Sequence, residues 1–413
     1  MTLYAGPRSR TGKGRGREGG GLYPELAAFR ISEGSSPNTQ SEVGRLVGLL
    51  PIATAREELA RRGLELDEKA VQRIANELGT QMLATRTRDL LRYRSGQLPA
   101  GTELAGKRVA VQFDGGRVRI RTVVKKSRVG KTRKRRKFRV EWREPKVLII
   151  FELDKKGQME RDSRSVIDGT LRGPDALLEL AAFHLHRLGA AAAQEIVFVA
   201  DGAPWIWGRL DWVVKQVGIA PTRVCEVLDW CHAVHHLSLA LEDLRLPKAE
   251  RAAAYARQRK ALKQGKAEEV ITELKQLADA RSRTSPVWVE IRYLTKHCEA
   301  GRLRYAVFRY RRLPIGSGAI ESTIRRGINL RLKGNSIYWT ADNAEAVFQL
   351  RAAILSGRWD QIVAHTRDAI ACDRRLSWHW TPPEALQELK VLEAQARIEA
   401  KTQAAQQSTR RAA

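Results

Sequence analysis

Three apolar runs limit the folds open to this chain: residues 109–113 (VAVQF), 146–153 (KVLIIFEL) and 195–200 (EIVFVA). Each is short and almost wholly apolar, the pattern of a strand covered on both faces. Residues 222–228 read as a further strand. Residues 174–189, rich in Ala and Leu, and residues 205–217 read as helices between strands. Strands alternating with helices predict an α/β fold. From residue 230 to about 309 no strand-like run occurs, so this charged block is read as helical. Residues 341–400 are again read as helical, and the last dozen as disordered.

The flanks are read differently. Residues 1–21 are Gly- and Arg-rich, a basic arm that can contact phosphates or simply be solvated. Residues 41–50 and 54–62 predict two short helices, closed by Pro51 and Gly63. Asp67 is a good N-cap for a third. That helix places Ala70, Val71, Ile74, Ala75 and Leu78 on one face, and Lys69, Gln72, Arg73 and Asn76 on the other. The pattern fits a small all-α helix-turn-helix domain, with a plain helical bundle as the alternative.

A cationic hairpin is expected over residues 117–143. Arg117, Arg119 and Arg121 alternate with Val118, Ile120 and Thr122, the period of a strand with one basic face. Residues 125–139 (KKSRVGKTRKRRKFR) follow, with Lys131, Arg133, Lys134, Arg135 and Arg136 at the tip. Such a run cannot pack inside. It is either a disordered basic loop or lies on phosphates.

The formal net charge of +28 and a pI near 10.5 point the same way. They favour nucleic acid over an anionic membrane surface. No spanning apolar run and no signal peptide are read from the sequence. The four cysteines, Cys225, Cys231, Cys298 and Cys372, form no CxxC pair. Neither a disulfide framework nor a zinc ribbon is expected, and a cytoplasmic location fits.

Residues 311–334 (RRLPIGSGAIESTIRRGINLRLKG) hold one carboxylate, Glu321, among Arg311, Arg312, Arg325, Arg326, Arg331 and Lys333. An acid repels phosphate, so a surface that only held a polyanion would omit it. Residues 314–318 read as a loop and 319–332 as a helix, which sets Glu321 and Arg325 on a common face. Two further acids end strand runs: Asp114 before Gly115-Gly116, and Asp201 before Gly202. Ligands of α/β sheets gather at strand ends. Two Asp and a Glu there would suit two Mg²⁺ or Mn²⁺ ions and in-line phosphoryl displacement. Taken singly, an Asp before Gly is commonly a turn residue, and a helical Glu among arginines a salt bridge.

The order of elements, with VQFDGGRVRIR, WREPKVLIIFELD, FVADGAPWIW, LDWCHAVHHL and LPIGSGAIEST, resembles the DDE transposases of bacterial insertion sequences. It looks most like the Kra-type branch, with Mutator-like features. The resemblance runs from about residue 22 to 380. It implies a ribonuclease H-like mixed sheet with Asp114, Asp201 and Glu321 as catalytic, metal-holding triad. It also implies a helical insertion domain within the catalytic domain, and a supporting Asp-x-x-His pair, Asp229 and His232. Members of this branch often carry a Cys-rich N-terminal segment that this chain lacks.

The expected organisation is a basic arm (1–38), a helix-turn-helix domain (39–95), a catalytic domain (104–229 and 311–380), a helical insertion (230–310) and a tail (381–413). The expected activity is Mg-dependent DNA cleavage and strand transfer. The expected partners are DNA ends, target DNA and at least one further copy of the chain. Arg325 and Arg326 would grip phosphate, balance Glu321, or both. The rivals are a nuclease on the same fold without strand transfer and a non-catalytic DNA-binding derivative.

Overall fold

The computed structural model of the protein describes residues 31, 34–124 and 138–376, with side chains as far as residue 370. Lys131, Arg133, Lys134, Arg135 and Arg136, nearly all of the N-terminal arm and the tail beyond 376 lie outside the described residues. Residues 1–366 form one compact unit and residues 367–413 a second, whose described part is helical.

The first unit is α/β, built on a mixed five-stranded sheet. Its strands are β1 (Arg108–Gly115), β4 (Lys146–Glu152), β5 (Val166–Thr170), β6 (Glu195–Ala200) and β7 (Val224–Leu228), in the spatial order β5-β4-β1-β6-β7. β4 runs antiparallel to both β1 and β5, while β1, β6 and β7 are mutually parallel. β2 (Val118–Val123) and β3 (Phe138–Arg143) make a separate antiparallel pair.

Alternation along each strand splits the apolar residues between two faces. Val109, Val111, Phe113, Leu148, Ile150 and Phe198 pack against α4 (Pro174–Leu188) and α6 (Leu210–Val217). Ala110, Val147, Ile149, Val197 and Val227 face α7 (Trp230–Asp243), α12 (Gly318–Ile324) and α13 (Ala341–Leu355). With both faces covered, each strand residue contributes roughly 1.5–3 kcal/mol if Val, Leu, Ile or Phe, which is why the strand runs are so uniformly apolar. The block after β7 is helical throughout: α7, α8 (Lys248–Lys263), α9 (Ala267–Leu277), α10 (Pro286–Glu299) and α11 (Tyr305–Tyr310). Its interior residues, among them Leu274, Ile291, Leu294 and Tyr305, belong to the same apolar cluster as the second sheet face.

The N-terminal helices are α1 (Pro37–Leu49), α2 (Ile52–Arg61) and α3 (Glu68–Arg94). Asp67 caps α3 by accepting from the Ala70 amide at 2.7 Å. Val43, Val47, Leu59, Val71, Ile74 and Leu78 share a core with Leu350, Ala353, Trp359 and Val363 of α13 and α14 (Trp359–Leu376). A Cβ on Gly79 would lie 2.8 Å from the Ala346 carbonyl. Only glycine allows α3 and α13 to cross this closely.

Four elements differ from the sequence reading. β5 is additional: its Asp168-Gly169 pair resembles turn chemistry, yet all five residues are buried. α3 runs on to Arg94, whereas the three N-terminal helices are read from the sequence as ending near residue 85. The helix expected over 205–217 breaks into α5 (Pro204–Trp207) and α6. The helix expected over 319–332 ends at Ile324 and passes into one π turn, Arg325–Asn329.

Candidate active site

Parallel pairing aligns three aspartates. Gln112 of β1 pairs with Val199 of β6, so Asp114, near the end of β1, and Asp201, just past β6, lie at one level. Ala200 of β6 pairs with Leu228 of β7, which puts Asp229 at that same level. The strand ends are also tied by backbone, since the Asp229 amide donates to the Ala200 carbonyl at 2.8 Å.

Glu321 reaches this edge through two tethers. Gln112 is buried in β1; its Nε2–H donates to the Gly316 carbonyl at 3.2 Å, and its Oε1 accepts from the Ile320 amide at 3.0 Å. Asp229, fully buried, accepts from the Ser317 amide through Oδ2 at 2.6 Å. Ser317 Oγ in turn donates to Glu321 Oε1 at 3.2 Å. The other carboxylate oxygen, Asp229 Oδ1, caps α7 by accepting from the His232 amide at 2.9 Å and lies 3.1 Å from His232 Nδ1. One buried aspartate thus orients both the imidazole and the loop before Glu321.

The charges sense one another. Burial pushes the Asp114 carboxyl up, and the negative charges of Asp201 and Glu321 add to this, while the Gly115 amide and His232 oppose it. The hydrogen bond between His232 Nδ1 and the Asp229 carboxylate raises His232, helped by the negative charges of Asp229, Asp201 and Asp114. Burial alone would raise Asp229, but its hydrogen bonds to His232 and Ser317 hold it below the usual carboxylate range. Among the described residues, none of Asp114, Asp201 and Glu321 is in an ion pair, and no three His, Cys, Asp or Glu side chains form a ready-made metal cage.

Asp201 Oδ1 accepts from the Ala203 amide at 3.0 Å, and its carbonyl accepts from Trp207 Nε1–H at 2.6 Å. α10 closes over the following residue: a Cβ on Gly202 would fall 2.1 Å from Tyr293 Oη. Tyr293 stacks on His236, ring centres 3.6 Å apart, and meets His297 edge-on at 4.7 Å. His297 is buried and held down to about 4 by that burial and by Arg302. His236 Nδ1 lies 2.5 Å from Glu290 Oε2, so His232 and His236 turn to different acids.

The basic residues separate into groups. Arg325 and Arg326 are exposed on the π turn, and no ion pair links them to Glu321 among the described residues. Lys69, Gln72 and Arg73 are exposed on α3 and Asn76 is half-buried. Arg117, just before β2, and Arg121, within it, are exposed, whereas Arg119 donates to the Gly334 carbonyl. Sequence reasoning missed Gln112, Ser317 and Tyr293. For Gln112 the signal is one amide in an otherwise apolar strand.

No family model, curated protein or solved structure matches the chain. No helix among the described residues is long and apolar enough to cross a membrane.

Proposed function

We propose that this chain is a DNA transposase whose acid triad is Asp114, Asp201 and Glu321. The observation that supports the reading is the approach of the Glu321 loop to the sheet edge that bears Asp114 and Asp201. Asp114 and Asp201 end neighbouring parallel strands, and buried Gln112 and Asp229 bring the Glu321 loop to them. The strand order, antiparallel on one side of β1 and parallel on the other, supports a ribonuclease H-like sheet. The exposed polar face of α3 supports a helix-turn-helix reader of element ends.

An all-oxygen set of mutually repelling carboxylates, one of them raised by burial and its neighbours, fits Mg²⁺ or Mn²⁺. Asp114, Asp201 and Glu321 would hold two such ions, which when bound supply positive charge to the attacking and leaving oxygens. Asp229 fixes the orientation of His232 and favours its protonated form. Arg325, Arg326, Arg117 and Arg121 are positioned to take DNA phosphates. Holding two element ends requires a homodimer or larger assembly, and the location is cytoplasmic.

The test is supercoiled donor DNA carrying the element ends, with Mg²⁺, comparing wild type with Asp201→Asn. Nicking and end joining are expected in the wild type and lost in the variant. Equal nicking by both proteins sinks the reading, and nicking without joining marks a nuclease instead.

A further inference from the structure

The β2–β3 sheet has an exposed side that phosphate contacts alone do not explain. Cross-strand partners share a face, so the pairs Arg119–Trp142, Arg121–Val140 and Val123–Phe138 line one side. Val118 and Ile120 line the other and are buried. The outer side is apolar and aromatic, yet open: Trp142 is 55 % exposed, Val123 52 %, Phe138 46 % and Val140 39 %. Among the described residues it contains no carboxylate, since Glu141 pairs with Ile120 on the inner side.

A third segment extends this side. The Trp339 amide donates to the Arg119 carbonyl at 3.0 Å, and the Arg121 amide to the Trp339 carbonyl at 2.7 Å. This pairing sets Trp339 on the inner side with Ile120 and Tyr338 on the outer. The Arg119 guanidinium lies 4.9 Å from the Tyr338 ring centre and 5.5 Å from that of Trp142. Phe138 is 6.0 Å from Tyr338. Arg119 is therefore held between two rings, and Arg121 supplies exposed charge next to them.

An exposed apolar sheet face costs solubility unless something covers it. Aromatic faces set among arginines, with no acid, match one ligand chemistry: bases that have left the duplex stack, on an anionic backbone. We propose that Phe138, Trp142 and Tyr338 form a stacking platform for unpaired bases of DNA. β2 begins two residues after Gly116, so the platform is continuous in chain with Asp114. The proposal rests on the DNA reading above and names the form of DNA that the hairpin receives.

The experiment measures binding of the full chain to three oligonucleotides of equal length: single-stranded dT, its abasic counterpart and a duplex. Trp142→Ala is expected to weaken binding to dT about 5- to 160-fold per stacked base, with little change for the abasic strand or the duplex. Trp142→Phe should restore most of the loss. An equal loss on all three probes, or no loss on dT, overturns the platform. A change from one assembly size to another on Trp142→Ala without loss of dT affinity also overturns it and assigns the face to a second copy of the chain. Asp201→Asn should keep the ratio of dT affinity to abasic affinity, whatever it does to DNA affinity in general. Platform and active site therefore fail separately: stacking can be absent while Asp201-dependent cleavage persists, and the reverse.

Discussion

Gln112 shows how one side chain can serve both core and site. It occupies a strand position where an apolar residue would pack, and spends its amide on the Gly316 carbonyl and the Ile320 amide. Gln112→Leu keeps the volume but leaves both backbone groups unpaired, at a cost of about 1–3 kcal/mol each if no water replaces the amide. Thermal unfolding should show that loss. DNA nicking should fall further than unfolding alone explains, because the Glu321 loop is released; unchanged nicking would separate the tether from the site. Asp229→Asn tests the neighbouring link. The Asp229 hydrogen bond raises His232, so its removal lowers the imidazole pKa, which NMR titration of the ring protons measures directly. The sign follows: His232 supports the fold below its unfolded pKa and loses that contribution as pH rises through its folded value. In the variant this dependence should flatten. An unchanged His232 titration would refute the coupling. These residues also mark where sequence reasoning stops. Asp114 and Asp201 are legible because each terminates an apolar run before glycine. Gln112 and Ser317 are not, since their partners lie about 200 residues away in Gln112's case and 88 in that of Ser317 with Asp229.

At the scale of elements, β5 is the instructive miss. It is held by charge as well as by apolar burial. Asp168, fully buried, is met by Arg86 of α3, and its Oδ2 lies 2.8 Å from His184 Nε2 of α4. Burial alone would raise the carboxyl, but Arg86 and His184 hold it at about 2. Its folded pKa is below the unfolded value, so the contribution is present above pH 4 and is lost as pH falls toward 2. The magnitude is on the order of 2 kcal/mol. Asp168→Ala leaves Arg86 and His184 facing a void and is expected to cost about 3–5 kcal/mol. Urea unfolding at pH 7 checks the size, and the variant's stability should depend less on pH between 4 and 2. A loss below 1 kcal/mol would show that the pair is dispensable. Short strands that contain Asp-Gly look like turns because their stabilising partners are distant. By contrast, Asp67 as N-cap and the breakers Pro51 and Gly63 act locally, and the α1–α3 boundaries follow them. α10 offers a second test. Gly202→Ala places a methyl against Tyr293 Oη and should reduce nicking. Pairing it with Tyr293→Ala makes room and should recover part of the activity; no recovery would rule out the steric account.

For the whole molecule, charge is the dominant variable. With a formal net charge of +28, association with DNA should be strongly salt-dependent. Each phosphate contact contributes about −0.9 to the slope of log K against log salt on duplex DNA. A slope steeper than about −5 is expected by fluorescence anisotropy, and a flat response would argue against an extended phosphate interface. The α/β class and the helical block could be read from apolar runs and their absence. The sharing of a core between α1–α3 and α13–α14 could not, because amphipathic helices advertise a buried face but not its partner.

That shared core has a consequence for how the protein comes into being. α1 also gives its last carbonyls, Val47 and Gly48, to Arg331 and Arg351. On the ribosome, the first helices emerge with one apolar face bare and wait for residues beyond 330. At roughly 5–20 residues per second this interval is some tens of seconds. Glu321 emerges only shortly before those residues. A newly made chain therefore gains Glu321 and the cover for its first helices almost together, and a truncated product lacks both.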